Sequence, residues 1–333
     1  MRSLLAIVLI AGGLWSGYWF IGSSAKQAVL ESWFADRRAD GWTAEYSSFK
    51  VVGFPNRFDS RFKDLNLKDP NSGIGWKAPL FNILALSYQP NHIIAAFAHS
   101  QVVSLPGEDM HIDSKKMMAS VTFEPDTLLA VRRTELRSTD LTISSSKGWK
   151  TQADKLNLST RRNADAELAQ DVVFEAQNLT PTKEFRQSLD PKGQLPATIE
   201  TLYLDMTLGF DAPWDRIAIE QGAPEVTKIT LNKLDSAWGK LGLKGSGTLD
   251  VAKNGQLSGR LLLEVKNWRN VLDLLVTSGV LDTNLAATIK SGIELLTLTS
   301  SDPTSLKIPL VLKNGNMALG PIPLGYAPRF VRN

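Results

Sequence analysis

The sequence predicts a mainly β protein with a few helices: an N-terminal transmembrane helix, a long antiparallel sheet of repeated hairpins, and a helix pair near the C-terminus. Three observations point there. An uncharged apolar run, Leu4 to Ile21, opens the chain; apolar and polar residues alternate through much of the body; and the turn signal Lys-Asn-Gly occurs twice.

With 333 residues the chain can form about two domains of ~150 residues or one long one. Hydrophobic residues at 43% and charged residues at 21% exclude wholesale disorder and a polytopic membrane protein. Thirty-seven Lys and Arg against thirty-four Asp and Glu leave a net charge of +3, too small a surplus to point to nucleic acid. The absence of Cys removes disulfides, thiolate nucleophiles and Cys-ligated metal sites.

Residues 1–24 read as a membrane anchor. The run Leu4–Ile21 would span about 27 Å as a helix, enough for a bilayer core. Arg2 precedes the run, which keeps the N-terminus cytoplasmic and sends the remainder across. Trp15, Tyr18 and Trp19 lie near the exit end, where amphipathic rings favour the headgroup level. Ser23-Ser24-Ala25 offers the small residues of a signal-peptidase site, so a cleavable signal peptide is the competing reading; the bulky aromatics beside that site and the length of the run favour the anchor. Either way the body is exported; as an anchor, the run gives a single-pass inner-membrane protein with a cytoplasmic N-terminus and a periplasmic body. Residues 25–41 form an amphipathic helix, with Ala25, Ala28, Val29, Trp33 and Phe34 on its apolar side.

The body divides into an N-terminal β region, 42–180, and a C-terminal β region, 197–333. The intervening stretch, with Pro181, Pro191, Gly193 and Pro196, is either a boundary or a loop within one continuous sheet. Leu202, Leu204, Met206, Leu208 and Phe210 alternate with Tyr203, Asp205 and Thr207, the pattern of a strand with one buried face, while Ile199 falls out of phase. His92 to Leu105 is apolar and β-branched enough for a strand or a pair. Around Asn314-Gly315 a two-residue type I′ loop pairs Leu312 with Met317 and Leu310 with Leu319. Around Asn254-Gly255 the apolar phase instead demands a three-residue loop, Lys253 to Gly255, with Gly255 left-handed.

A weak repeat of strand, turn, Trp and strand runs through Asp64-Leu65-Asn66-Leu67 with Trp76, Asp140-Leu141-Thr142-Ile143 with Trp149, and Ile229-Thr230-Leu231 with Trp238. Late in the chain, Trp268–Leu281 has helical spacing with Gly279 as its stop. Thr283 then caps a second helix, Asn284–Leu296, carrying Leu285, Ile289, Ile293 and Leu296. This pair, within 268–298, would cover one end or one face of the sheet.

No zinc-protease, nucleophile-elbow, Walker A or dinucleotide motif occurs. Asp69-Pro70-Asn71-Ser72-Gly73 fails as a calcium loop because its twelfth position is Leu80. His92 and His99 would face opposite sides of one continuous strand, and His111 stands alone. Asp165, Glu167 and Asp171 read as a solvated face, and Arg37-Arg38, Arg132-Arg133 and Arg161-Arg162 as scattered surface pairs. No catalytic, cofactor-binding or metal residue is assigned; the site residues are those of the anchor, Leu4, Ile21, Trp15, Tyr18 and Trp19. Gly53-Phe54-Pro55-Asn56-Arg57-Phe58 stands out as a strand ending at a Pro-directed turn with two core Phe residues.

These residues carry a family resemblance. Glu31-Ser32-Trp33-Phe34 with Arg37-Arg38, Gly41-Trp42, Gly53-Phe54-Pro55 with Arg57-Phe58, Asp69-Pro70 before Trp76-Lys77-Ala78-Pro79, and Ser87-Tyr88-Gln89-Pro90-Asn91-His92 together resemble a family of Gram-negative envelope proteins, domain of unknown function 2125. The resemblance brings no activity and no catalytic residues. More loosely, the C-terminal part resembles AsmA-like envelope proteins, which implies a curled sheet whose apolar inner face meets lipid chains. The expected function is therefore non-enzymatic: a membrane-anchored periplasmic protein binding lipid or another apolar ligand along a curled β-sheet in envelope maintenance. Its partners would be membrane lipid first and envelope proteins second, with no nucleic acid and no cofactor. The alternative is an inner-membrane scaffold that binds protein partners through sheet edges. A glycosidase acting through Asp or Glu ranks third and requires two carboxylates in one concave site.

Overall fold

A computed structural model describes residues 1–279, 281–297, 302–320 and 322–331. Among these, eighteen strands form one antiparallel hydrogen-bonded sheet, accompanied by five helices. The chain divides into two compact units, Met1–Pro125 with Leu136–Gly148, and Asp126–Glu135 with Trp149–Asn333.

The first unit opens with α1 (Arg2–Ala39), a single helix of 38 residues. The apolar run and the amphipathic stretch are thus continuous. Gly22 does not break the helix, and its missing side chain serves packing: a Cβ there would lie 2.6 Å from the Phe58 ring. Eight strands follow, β1 (Thr43–Glu45), β2 (Ser48–Val52), β3 (Asp59–Lys68), β4 (Gly75–Leu86), β5 (Gln89–Phe97), β6 (Ser100–Leu105), β7 (Glu108–Asp113) and β8 (Lys116–Phe123), with β9 (Val131–Ser145) divided between the units. His92–Leu105 is accordingly a pair of strands, with His99 between them.

The core of this unit is an aromatic row. Antiparallel register sets Phe49 opposite Phe62, Phe62 opposite Phe81, and Phe81 opposite Phe97, all on one face. Phe49 and Phe62 stack at 4.5 Å, and Phe34 of α1 closes over them at 5.5 Å from Phe62. Leu65 joins the same cluster although it lies three positions after Phe62. Strict alternation would place the two on opposite faces; Asp64, left-handed at φ 49, reverses the phase between them. Asp140 does the same ahead of buried Leu141.

The second unit contains β10 (Lys150–Arg162), β11 (Ala169–Leu179), α2 (Lys183–Leu189), β12 (Ile199–Phe210), α3 (Arg216–Gln221), β13 (Val226–Trp238), β14 (Leu241–Val251), β15 (Leu257–Lys266), α4 (Trp268–Thr277), α5 (Thr283–Thr297), β16 (Ser305–Lys313), β17 (Asn316–Leu319) and β18 (Ile322–Tyr326). Thr180–Pro196 therefore lies inside this unit, and it carries α2. The helices α2 and α3 depart from the expectation that helices occur only near the chain ends. Each begins at a side-chain cap that its few apolar residues did not advertise: Thr182 accepts from Phe185 N, and Asp215 from Ala218 N.

Both Lys-Asn-Gly hairpins form as their apolar phase requires. Leu312 pairs with Met317 and Leu310 with Leu319, with Asn314 and Gly315 at φ 53 and 74. Val251 pairs with Leu257 across the three-residue loop, and Gly255 takes φ 77. Gly279, at φ 76, follows α4 as anticipated. For α5 the cap is Asp282 rather than Thr283: its carboxylate accepts from Asn284 N at 2.8 Å, and a carboxylate reaches the first-turn amides as a stronger acceptor. Ile289 and Ile293 are buried; the side chain of Leu296 and residue 298 lie outside the described set.

Strand β12 departs from the simple pattern of one dry and one wet face. From Leu202 to Phe210 every position is half-buried. Its polar side is shaded by its own hydrogen bonds, Thr207 to Asp171 and Asn232 to Asp205, while among the described residues its apolar side has no buried cluster against it. Ile199 is out of phase because it pairs with Leu179, beside left-handed Asn178.

Candidate functional site

The register of the second unit aligns its apolar side chains into continuous rows. Leu158, Phe174, Leu204, Leu234, Gly245, Leu263 and Ile308 are successive partners across β10 to β16. Beside them run Leu156, Ala176, Leu202, Ser236, Leu243, Val265 and Leu306. Seven strands at ~4.8 Å spacing make this face roughly 29 Å wide. Cover is graded along the first row: Ile308, beneath the helix pair, is 3% exposed, whereas Leu158 at the far end is 37% exposed; the second row has no such gradient, with Ala176 buried and Leu243 exposed. Trp268, Ile289 and Ile293 bring α4 and α5 down onto Leu306 and Ile308.

Where α4 stops covering the face, a cavity of about 290 Å³ remains. Leu241, Leu243 and Val265 floor it, Val271, Leu274, Leu275 and Ser278 of α4 roof it, and Leu189, Leu195 and Trp238 close its side. Among the described residues, no charged one lines it. The hydroxyl of Ser278 donates to Leu275 O, and Trp238 Nε1 donates to Pro196 O at 2.8 Å, so the Trp238 ring contributes an apolar wall. Such a lining offers shape and dispersion, not polar recognition.

A second cavity, about 210 Å³, shares Leu195 and Trp238 with the first and is polar, with Lys183, Arg186, Gln187 and Asp190 on its walls. Asp190 is buried; its Oδ2 accepts from Leu195 N at 2.6 Å, while its Oδ1 and the Arg186 Nε have no hydrogen-bond partner. An apolar and a polar compartment therefore meet across one wall.

Of the anchor residues, Leu4 and Ile21 are exposed and far apart on α1, whereas Trp15, Tyr18 and Trp19 converge. Their polar ends donate to protein carbonyls: Trp15 Nε1 to Pro55 O at 3.0 Å, Tyr18 OH to Ser87 O at 2.8 Å, and Trp19 Nε1 to Arg57 O at 2.7 Å. The Gly53–Phe58 turn that receives them holds one core Phe, not two. Phe58 is buried, but Phe54 is 52% exposed, because it stacks on Phe20 and meets the edge of Trp19 on the outer side of α1.

The remaining sequence candidates disperse. His92 lies in β5, His111 in β7, and His99 between β5 and β6 with Nδ1 3.1 Å from Ser114 O. Asp171 belongs to the polar side of β11: partial burial pushes its carboxyl up, but hydrogen bonds from Asn163 and Thr207 and the Arg161 guanidinium outweigh that and hold it below the usual carboxylate range. Among the described residues, no group of three or more His, Asp or Glu could hold a metal ion.

Sequence reading missed the cavity. One part of it was visible, since Val271, Leu274, Leu275 and Ser278 follow the i, i+3, i+4, i+7 spacing of one helix face. What that face would leave open against β14 was not, because the gap depends on how far Trp268 and Ile289 let the helices settle.

Two features fit a membrane-anchored protein: α1 is long and apolar enough to cross a bilayer, and a large β-sheet follows it. No curated protein and no solved structure matches the chain. A family model described as "Uncharacterized protein conserved in bacteria (DUF2125)" matches residues 19–328, nearly the whole length, and the chain belongs to that family.

Proposed function

We propose that this is a non-enzymatic, membrane-anchored protein of the bacterial envelope that binds a lipid or similar amphiphile on the apolar face of its second unit. The uncharged cavity beneath α4 carries the reading. At about 290 Å³ it sits at the low end of the ~300–1,000 Å³ typical of small-molecule sites, so it takes one end of an apolar chain. The half-exposed rows leading from it would receive the rest, and the neighbouring cavity with Lys183 and Arg186 suits an anionic polar end. Arg2, the one charge ahead of the apolar run, supports a cytoplasmic N-terminus and a periplasmic body.

The test is photolabelling. Full-length protein in nanodiscs, incubated with a photoactivatable fatty acid, is expected to be labelled on α4 and β14. Filling the floor with Ser236→Leu, or charging it with Leu243→Asp, should abolish that labelling while circular dichroism stays unchanged. Labelling scattered over both units, or unaffected by either substitution, refutes the site. A stable crosslinked protein partner in its place would favour the scaffold reading.

A further inference from the structure

The apolar run of α1 and the loop docked on it cannot occupy separate compartments. Only eleven residues, Leu4 to Leu14, precede the first docked ring, and as a helix they cover ~16 Å, about half of a ~30 Å hydrocarbon core. A full crossing needs the next turns as well, and these hold Trp15, Tyr18 and Trp19. The partners of those rings, Pro55, Arg57 and Ser87, are therefore carried to the same depth.

Irregular backbone survives at that depth only if its polar groups are satisfied from within. Six carbonyls of this segment meet the condition, although the buried Ser87 hydroxyl has no partner. Pro55 O accepts from Trp15, Arg57 O from Trp19, Phe58 O from Lys26 Nζ at 2.5 Å, and Ser87 O from Tyr18. Asn56 O accepts from Ser87 N, and Gly53 O from Arg57 N. Beyond this hydrogen-bonded inner side, Phe54 is 52% and Tyr88 65% exposed, next to Phe20 at 60% on the helix itself. Aromatic rings pointing outward from a segment with satisfied carbonyls have the chemistry of the boundary between headgroups and acyl chains.

We propose that the Gly53–Phe58 turn and the Ser87–Tyr88 turn form a wedge that enters the bilayer interface beside α1, so that the protein is held by a helix and a loop together. The occupant of this surface is the lipid bilayer. The proposal rests on α1 crossing the membrane, and it goes further in assigning lipid contact to the folded body.

The chain has no Cys, so each introduced thiol is the sole labelling site. Four full-length variants, Phe54→Cys, Tyr88→Cys, Leu9→Cys and Asn71→Cys, are labelled with an environment-sensitive fluorophore and reconstituted into phosphatidylethanolamine–phosphatidylglycerol vesicles containing nitroxide lipids. Leu9 reports the span, and Asn71 an exposed turn of the same unit. Labels at Phe54 and Tyr88 are expected to shift to the blue and to be quenched most by nitroxides placed shallow on the acyl chain, with no quenching at Asn71. Quenching at Leu9 combined with water-like labels at Phe54 and Tyr88 overturns the wedge and leaves the anchor standing. An unquenched label at Leu9 removes both. Tyr88 has no ring contact with α1 among the described aromatic pairs, so its variant reads the wedge independently of any loosening caused at Phe54.

Discussion

Replacing Trp268 by Ala should release the helix pair from the sheet without unfolding the unit. Trp268 is 2% exposed, packs with Ile289, Ile293, Leu306 and Ile308, and donates Nε1 to Pro303 O at 3.1 Å. Truncating a buried Trp to Ala costs about 3–5 kcal/mol, from lost burial and the cavity left behind. The freed Pro303 carbonyl adds little, because Pro303 is exposed and water replaces the indole. The lost contact with the Arg269 guanidinium, 4.4 Å from the ring, adds about 0.5–1 kcal/mol. At ~1.4 kcal/mol per tenfold, opening of α4 and α5 rises by roughly two to four orders of magnitude. Hydrogen exchange read by mass spectrometry on the full-length protein separates local from global loss. Peptides from 268–277 and 283–297 are expected to exchange far faster, with β11 and β12 unchanged, and fatty-acid labelling at the cavity should fall with them. Trp268→Phe, which keeps most of the buried ring, should restore most of the protection. Unchanged helix exchange in Trp268→Ala would refute the role given to this side chain. Equal acceleration in β11 and β12 would show that the helices and strands open as one.

Gly247 faces Gly259-bearing β15 at φ +144, and a Cβ there would lie 2.2 Å from Arg260 O, whereas Gly107, at φ +76, has open space around it. Gly247→Ala should therefore lower the unfolding free energy read by urea titration by about 1–3 kcal/mol or more, and Gly107→Ala by only about 1 kcal/mol; equal losses for the two would count against the close approach. Because the Asp171 carboxyl is held low in the folded state, its contribution is present above the unfolded value of ~3.9 and is lost as pH falls through the folded value. Asp171→Asn should then be less stable than the parent at neutral pH, with the gap closing below about pH 4; a gap independent of pH would refute the assignment.

Local chemistry was legible where phase alone decides the outcome. Two identical Lys-Asn-Gly tripeptides adopt different turns, and the apolar positions around each dictate which. The anchor was legible for the same reason, since length and lack of charge suffice. The repeat was legible only in part. Its Trp residues occupy different places: Trp76 within β4, Trp149 before β10 and Trp238 at the end of β13. The common element is a reversal of phase. Asp64 and Asp140 achieve it with a left-handed residue, and β13 with a register shift between Leu231 and Leu234. Strict period-two reading is blind to such devices, because it counts the residue that makes the reversal as one more alternation. The outward turn of Phe54 and the cavity under α4 depend on contacts between residues distant in sequence, and no local pattern encodes them; the cap at Asp282 is local, and Asp282 and Thr283 are both residues that cap helices.

The second unit has an apolar face with more area than its own helices cover, and the gradient along one row shows where cover ends. Ile308 is dry because Ile289 and Ile293 sit on it; Leu263, one strand away, is half-buried; Leu158, six strands away, is open. An exposed apolar row is costly in water at ~25 cal/mol per Å², and each half-covered Leu retains part of that cost. Hydrocarbon laid against the rows would remove it by the same transfer that buries Ile308 under α5. On this reading the cavity beneath α4 marks the transition, where cover by the protein's own residues gives way to cover by the ligand. It also explains why the lining carries no charge: a Lys or Asp at Leu243 or Leu274 would need a partner that neither the helix nor an acyl chain can supply. The physical demand on these positions is the same whether a helix or a lipid satisfies it, so the fold and the proposed site draw on a single apolar face.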